Sequence, residues 1–217
     1  VREVSQLRAA GLEDVDVAIA WSTSDSNTIS RTGITNPARH DSMVTLTAQF
    51  RADGKIINHP FEVLVPGIVF QDLSEIKPVF GYVYASSHRG FTETAINTLD
   101  VVNVAFGRVT SESTCSVDTI SNLSTLLQIR KTGTRVVLSL GGYGSGGIEF
   151  SNTAASSEKR KIFAESILEV LETYHFDGID LDWEYPGFET GRETAIDRLN
   201  YTLMLQTIYN TVKAANP

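Results

Sequence analysis

Only one cysteine, Cys115, stands in the 217 residues, which excludes an intramolecular disulfide framework and leaves no cysteine spacing for a metal. It reads as a small hydrophobe. Positive charge is also in short supply: 18 Lys and Arg against 26 Asp and Glu give a formal net charge of −8. Neutralising a phosphate backbone takes clustered cations; none cluster here, so a nucleic-acid partner is disfavoured and a neutral substrate such as a polysaccharide fits better. No apolar run approaches the roughly 18 residues of a membrane span. The opening Val1-Arg2-Glu3-Val4-Ser5 does not form a signal peptide, as expected of a mature secreted or cell-surface form or of a chain trimmed upstream. What is present, 41% apolar and 20% charged residues, is an ordinary globular composition able to bury a core.

The hydrophobic period changes along the chain. Over residues 1–66 it is two: Val15, Val17, Ile19 and Trp21 alternate with Asp16, Ala18 and Ala20, and Val44, Leu46, Ala48 and Phe50 alternate with Thr45, Thr47 and Gln49. Asp53-Gly54 supplies a hairpin turn, after which Phe61, Val63 and Val65 resume the alternation. This predicts half of a small all-β sandwich. Pro66-Gly67 closes it, and residues 67–77 read as a linker or approach strand. From residue 78 onward strand-like runs (79–84, 101–106, 135–140, 176–184) alternate with helical ones. Helices are expected over 118–130, stopped by Gly133, over 157–174, and over 193–215 with Leu199, Leu203, Ile208 and Val212 inward. Four such units are half of an eight-stranded barrel. The smallest (β/α) barrels need about 200 residues, so the expectation is a fragment, or a half that pairs with another chain.

The fourth strand-like run carries the chemistry. Successive strand side chains point to opposite faces, so Asp180, Asp182 and Glu184 share one face with Gly178, while Ile179, Leu181 and Trp183 share the apolar other. Same-face neighbours lie roughly 6.6 Å apart, close enough that the carboxylates repel and at least one should keep its proton near neutral pH. A proton-bearing acid beside an ionised one is what glycosidic cleavage uses. Alternating acids could instead ligate a cation, but calcium loops have polar spacers, and the Ile, Leu and Trp spacers here demand burial. Gly141-Gly142-Tyr143-Gly144-Ser145-Gly146-Gly147 lacks the spacing and the Lys-Ser/Thr pair of a phosphate cradle. Asp177, of opposite parity, reads as a cap or turn group, Trp183 as core, His175 as a capping or packing residue, and Asn200 and Tyr201 as packing. His88 and Arg89 are candidates for substrate contact.

The pattern Asp177-x-x-Asp180-x-Asp182-x-Glu184, followed by Tyr185-Pro186, resembles the active-site signature of glycoside hydrolase family 18, the chitinases and their relatives. Ser139-Leu140-Gly141-Gly142 resembles that family's Ser-x-Gly-Gly motif on the third strand, Gly81-Tyr82 its first strand, and Val102-Asn103-Val104-Ala105-Phe106 its second. The likeness covers roughly residues 76–217 and implies the first four units of a (β/α)8 barrel. It also implies a retaining, substrate-assisted mechanism on β-1,4-linked N-acetylglucosamine polymers, with no cofactor and no metal. Glu184 would be the acid and base, Asp182 the group that holds the substrate's acetamide, and Asp180 its tuner. Tyr82, Phe106, Ser139, Gly141, Gly142 and Tyr185 would support or contact substrate, with Gly141 and Gly142 letting the backbone pass close to a sugar. Tyr143 stands where the family usually has Trp. An endo-β-N-acetylglucosaminidase and a non-catalytic, lectin-like glycan binder remain open as alternatives. Trp21 to Asp25, Ile29 to Gly33 and Val44 to Ala48 resemble the atrophied bacterial immunoglobulin-like domains attached to secreted polysaccharide-degrading enzymes, where they act as spacers. The family's later strands supply further sugar contacts, so the 217 residues alone are expected to be inactive.

Overall fold

The two-residue alternation at the start of the chain builds a three-stranded antiparallel sheet of β1 (Ala18–Thr23), β2 (Ser42–Ala52) and β3 (Lys55–Val65), in that order. The structure, a computed structural model, describes residues 18–52, 55–70, 72–74, 76–84, 97–121, 123–127, 130, 133–144, 147–188 and 190–215. Expectations at Val15, Val17, Asp53-Gly54, His88, Arg89 and Ser145-Gly146 fall outside those residues. Register pairs Trp21 with Ala48 and Ala48 with His59, so one face gathers the apolar series. There Val44 and Val65 bury against Ile29, with Leu46 and Val63 alongside. No strand forms among the described residues of 66–79, because the segment carries no alternation to hold it on a sheet edge.

The second unit comprises β4 (Phe80–Tyr84), β5 (Val101–Val109), β6 (Cys115–Ser116), α1 (Leu123–Leu127), β7 (Arg135–Gly141), α2 (Gly147–Ala154), α3 (Ser157–Tyr174), β8 (Gly178–Asp182) and α4 (Thr194–Ala215). Strands β4, β5, β7 and β8 pair parallel in that order, and β6 adds an antiparallel pair to β5. One face of this sheet carries Val83, Val102, Val104, Val136, Leu138 and Leu140, which bury with Phe150, Phe163, Ile167, Trp183, Met204 and Ile208 from the helical layer. The opposite face holds Tyr82, Asn103, Ser139, Asp180 and Asp182. Cys115 is buried, and burial pushes its thiol up to about 12, so it behaves as a hydrophobe rather than a nucleophile.

Helix α3 coincides with the span its period predicts. Ser156 caps it, accepting from Lys159 N at 3.4 Å, and His175 ends it in the left-handed region. Of the predicted helix over 118–130, the described residues form α1, and Val117 to Ile120 closes a turn instead. Gly133 does sit at φ +86°, where glycine is favoured. Helix α4 buries Asp197, Met204 and Ile208, while Leu199 and Leu203 are exposed. Ile208 and Val212 face the core as expected; the buried face continues at spacings of four and seven to Met204 and Asp197, which leaves Leu199 and Leu203 on the neighbouring face.

Loop residues of the first unit meet a buried ion pair of the second. Arg130 donates to both Asp177 carboxylate oxygens, at 3.0 and 2.8 Å, and neither side chain reaches solvent. Arg130 also donates to the Pro37 carbonyl, and Arg39 donates to the Asp177 carbonyl at 2.9 Å. Val136 N donates to Asp177 Oδ2 at 2.8 Å. Asp177 therefore frames the start of β8 and ties it to the N-terminal unit. His175 Nε2 meets Thr28 Oγ1 at 2.8 Å across the same junction; burial lowers the imidazole's pKa, with Arg130 reinforcing it.

Candidate active site

The acids owe their common face to the pleat of β8. Register sets Asp180 beside Ser139 and Asp182 beside Gly141 on β7, while Ile179, Leu181 and Trp183 turn to the core. Trp183 stacks on Phe150 with centroids 5.6 Å apart and meets Tyr201 edge-on at 5.5 Å, and Tyr201 donates to the Leu181 carbonyl at 3.1 Å. That anchors the strand end from behind. Glu184 lies two residues past the end of β8.

Asp180 is held by three donors on one oxygen. Its Oδ2 accepts from Ser139 Oγ at 2.6 Å, Tyr82 Oη at 3.0 Å and Asn103 Nδ2 at 3.4 Å. Asp182 is held above the usual carboxylate range, first by burial, then by the charges of Glu184 and Asp180 and by a hydrogen bond with Glu184. Tyr185 donates its hydroxyl to Glu184, and that bond with the carboxylate's charge raises the phenol's pKa. Tyr82 is raised as well, chiefly by partial desolvation of its hydroxyl and then by Asp180. A chain of side chains thus runs from Tyr82 and Ser139 through Asp180 and Asp182 to Glu184 and Tyr185. Such a chain can share a proton among three carboxyl groups and present one to a bound molecule.

The glycines serve the sheet itself. Gly141 has φ +109° and a methyl there would run into the Asp182 carbonyl; Gly142 has φ +86° and a methyl there would meet the Phe106 ring at 2.7 Å. Gly142 N donates to Asp182 O at 2.9 Å. The missing side chains at these glycines thus make room for β8 and for Phe106, whose ring also meets Tyr84 edge-on at 6.1 Å. Tyr143 projects into solvent, 83% exposed, and Tyr185 pairs edge-on with Phe188 at 6.4 Å. These aromatics border the loop beyond the acids.

Sequence reasoning missed Asn103 and Asp197. Asn103 is the lone polar residue among Val101, Val102, Val104 and Ala105, a signal that was readable. Asp197 is fully buried and accepts from Ser151 Oγ at 2.7 Å, Gly187 N at 2.9 Å and Thr190 Oγ1 at 2.7 Å. It ties the loop that follows Glu184 to α2, and nothing in the local sequence announces those partners.

The chain is similar to known proteins. Chitinase A1 of Niallia circulans is 36% identical over 99 residues, covering 43% of this chain and 14% of the relative. A class V chitinase of Medicago truncatula is 39% identical over 93 residues, covering 43% of this chain and 23% of the relative. Among solved structures, a family 18 N-acetylglucosaminidase of Paenibacillus barengoltzii superposes with a TM-score of 0.57 at 32% identity, over 64% of this chain and 41% of that one. The chain thus spans less than a quarter of these curated relatives and about two-fifths of the solved one. The model for Glycosyl hydrolases family 18 matches residues 79–216, the stretch whose parallel strands carry the acids, and the chain accordingly belongs to that family.

Proposed function

We propose that the protein hydrolyses β-1,4-linked N-acetylglucosamine polymers, chitin or chito-oligosaccharides, by a retaining, substrate-assisted route. The observation that carries the reading is Asp182: a carboxyl with raised pKa, flanked by Asp180 and Glu184 on one sheet face. Glu184 protonates the leaving oxygen while the sugar's own 2-acetamido oxygen attacks the anomeric carbon, so that no protein nucleophile is needed. Asp182 accepts from the acetamide N–H and offsets the positive charge of the cyclic intermediate. Asp180, anchored by Ser139 and Tyr82, sets the charge that Asp182 carries. Glu184 then takes a proton from water, which opens the intermediate with retained configuration. Names of relatives support the substrate: both curated relatives above are chitinases.

We further take residues 78–217 as the first four units of the barrel, with the remaining units needed for turnover. The three-stranded sheet is taken as part of an immunoglobulin-like spacer, and the protein as secreted or held at the cell surface. The test is a pair of substrates offered to the full-length protein. Release of fluorophore from a chitotrioside, and none from its fully N-deacetylated counterpart, is expected; equal rates on both would refute substrate assistance.

A further inference from the structure

One polar side chain on the sheet's inner face is not used by the acid chemistry itself. Asn103 sits on β5 opposite Tyr82 on β4, is 6% exposed, and is flanked along the strand by fully buried Val102 and Val104. Burying an amide among valines is costly unless its donors are satisfied. Asn103 Nδ2 carries two N–H groups. One goes to Asp180 Oδ2 at 3.4 Å, and the amide also hydrogen-bonds the Tyr82 hydroxyl. With the phenol oxygen accepting from Asn103, the Tyr82 O–H is directed at Asp180 Oδ2, 3.0 Å away.

We propose that Asn103 is a positioning residue for the site, acting through Tyr82 and Asp180, and this rests on the hydrolytic reading above. Ser139, Tyr82 and Asn103 all converge on one carboxylate oxygen. Three donors crowd Oδ2, which has only two lone-pair sites to offer, so a proton that Asp180 exchanges with Asp182 is carried on Oδ1. Asn103 enforces this selection from below. Tyr82 needs the help, since it is 58% exposed and packing alone does not hold its hydroxyl. Without the amide, the Tyr82 hydrogen is free to turn to water and the Asp180 carboxylate keeps Ser139 as its one remaining fixed donor. Proton sharing with Asp182 then loses its fixed direction. Asn103 is too deeply buried to touch a bound sugar, so its removal acts on turnover rather than on binding.

The test uses the full-length enzyme with a fluorogenic chitotrioside, measuring kcat and KM from about pH 4 to 9, a span that brackets carboxyl titration. Asn103→Leu keeps the branched outline of the side chain, though it is bulkier, and deletes both donors. It is expected to lower kcat about 10- to 100-fold, the usual range for groups that orient a directly acting residue, with KM within about threefold. In an Asp180→Ala background the same substitution should change kcat less than about twofold, because the group it acts through is gone. Asn103→Asp preserves shape and serves if the leucine variant does not fold. Its loss of kcat should be largest at alkaline pH and should shrink at acid pH, where the introduced carboxyl can donate again. A kcat within about twofold of wild type for Asn103→Leu, or an equal loss with and without Asp180, overturns the inference. So does an Asn103→Asp profile of wild-type shape. Those results would leave the hydrolytic reading standing. A wild-type enzyme that cleaves no chitotrioside would sink both.

Discussion

At the scale of single residues, the site is organised by what each carboxyl can share. Asp180 is saturated on one oxygen by three donors, whereas Asp182 is pushed above the usual carboxylate range by burial, by Glu184 and by Asp180. The sign of the consequence for stability follows from linkage. A carboxyl whose folded pKa is raised favours the folded state when protonated, and that contribution is lost as pH climbs from the ordinary 3.8 through the raised value. Asp182→Asn removes the penalty of ionising there. The full-length variant should melt higher than wild type at about pH 7, by about 1–4 °C, with the difference vanishing near about pH 3. A thermal melt at the two pH values checks this, and a variant that melts lower at neutral pH would contradict it. Activity should fall in the same variant even as it gains stability, a trade typical of sites built from repelling groups.

At the scale of elements, β8 is fixed at each end by a different device. Gly141 lets β7 approach β8 so closely that any side chain would strike the Asp182 carbonyl, and its φ of +109° lies where L-residues are strained. Gly141→Ala should cost about 1–3 kcal/mol from backbone strain alone, with the steric clash added, and should displace Asp182. Urea unfolding at constant m-value reads the loss. At the other end, Asp177→Ala leaves Arg130 buried without its partner, a change that costs about 3–5 kcal/mol. A loss under about 1 kcal/mol, the scale of an exposed pair, would show that solvent reaches the junction. The face alternation of β8 was legible from sequence because apolar and acidic residues alternate without interruption from Ile179 to Glu184. The bonds of Asp177 were not, since Arg130 and Arg39 reach it from 47 and 138 residues away in the chain. Helix α2 was missed because its eight residues begin in a glycine-rich stretch and supply too few turns for a period to stand out. On α4, Ile208 and Val212 were legible as inward, whereas Leu199 and Leu203 were misplaced because the buried stripe runs instead through Asp197, whose burial depends on donors from Ser151, Gly187 and Thr190.

At the scale of the molecule, the parallel sheet has β4 and β8 at its edges among the described residues, and its inner face leaves Phe80, Tyr82 and Tyr84 exposed. Open edges and uncovered aromatic surface bind other apolar surfaces. A polypeptide of these 217 residues alone is therefore expected to bind a hydrophobic dye strongly and to show no turnover; turnover by it would mean that four strands suffice. The most direct test of the proposed hydrolytic site lies in Glu184, which meets both Asp182 and Tyr185. In the full-length enzyme Glu184→Gln keeps the shape of the side chain and removes its acid. Steady-state hydrolysis of a fluorogenic chitotrioside should fall at least about 1,000-fold while oligosaccharide binding, followed by tryptophan fluorescence, persists. Turnover retained above about a tenth of wild type would contradict the assignment of Glu184 as the proton donor.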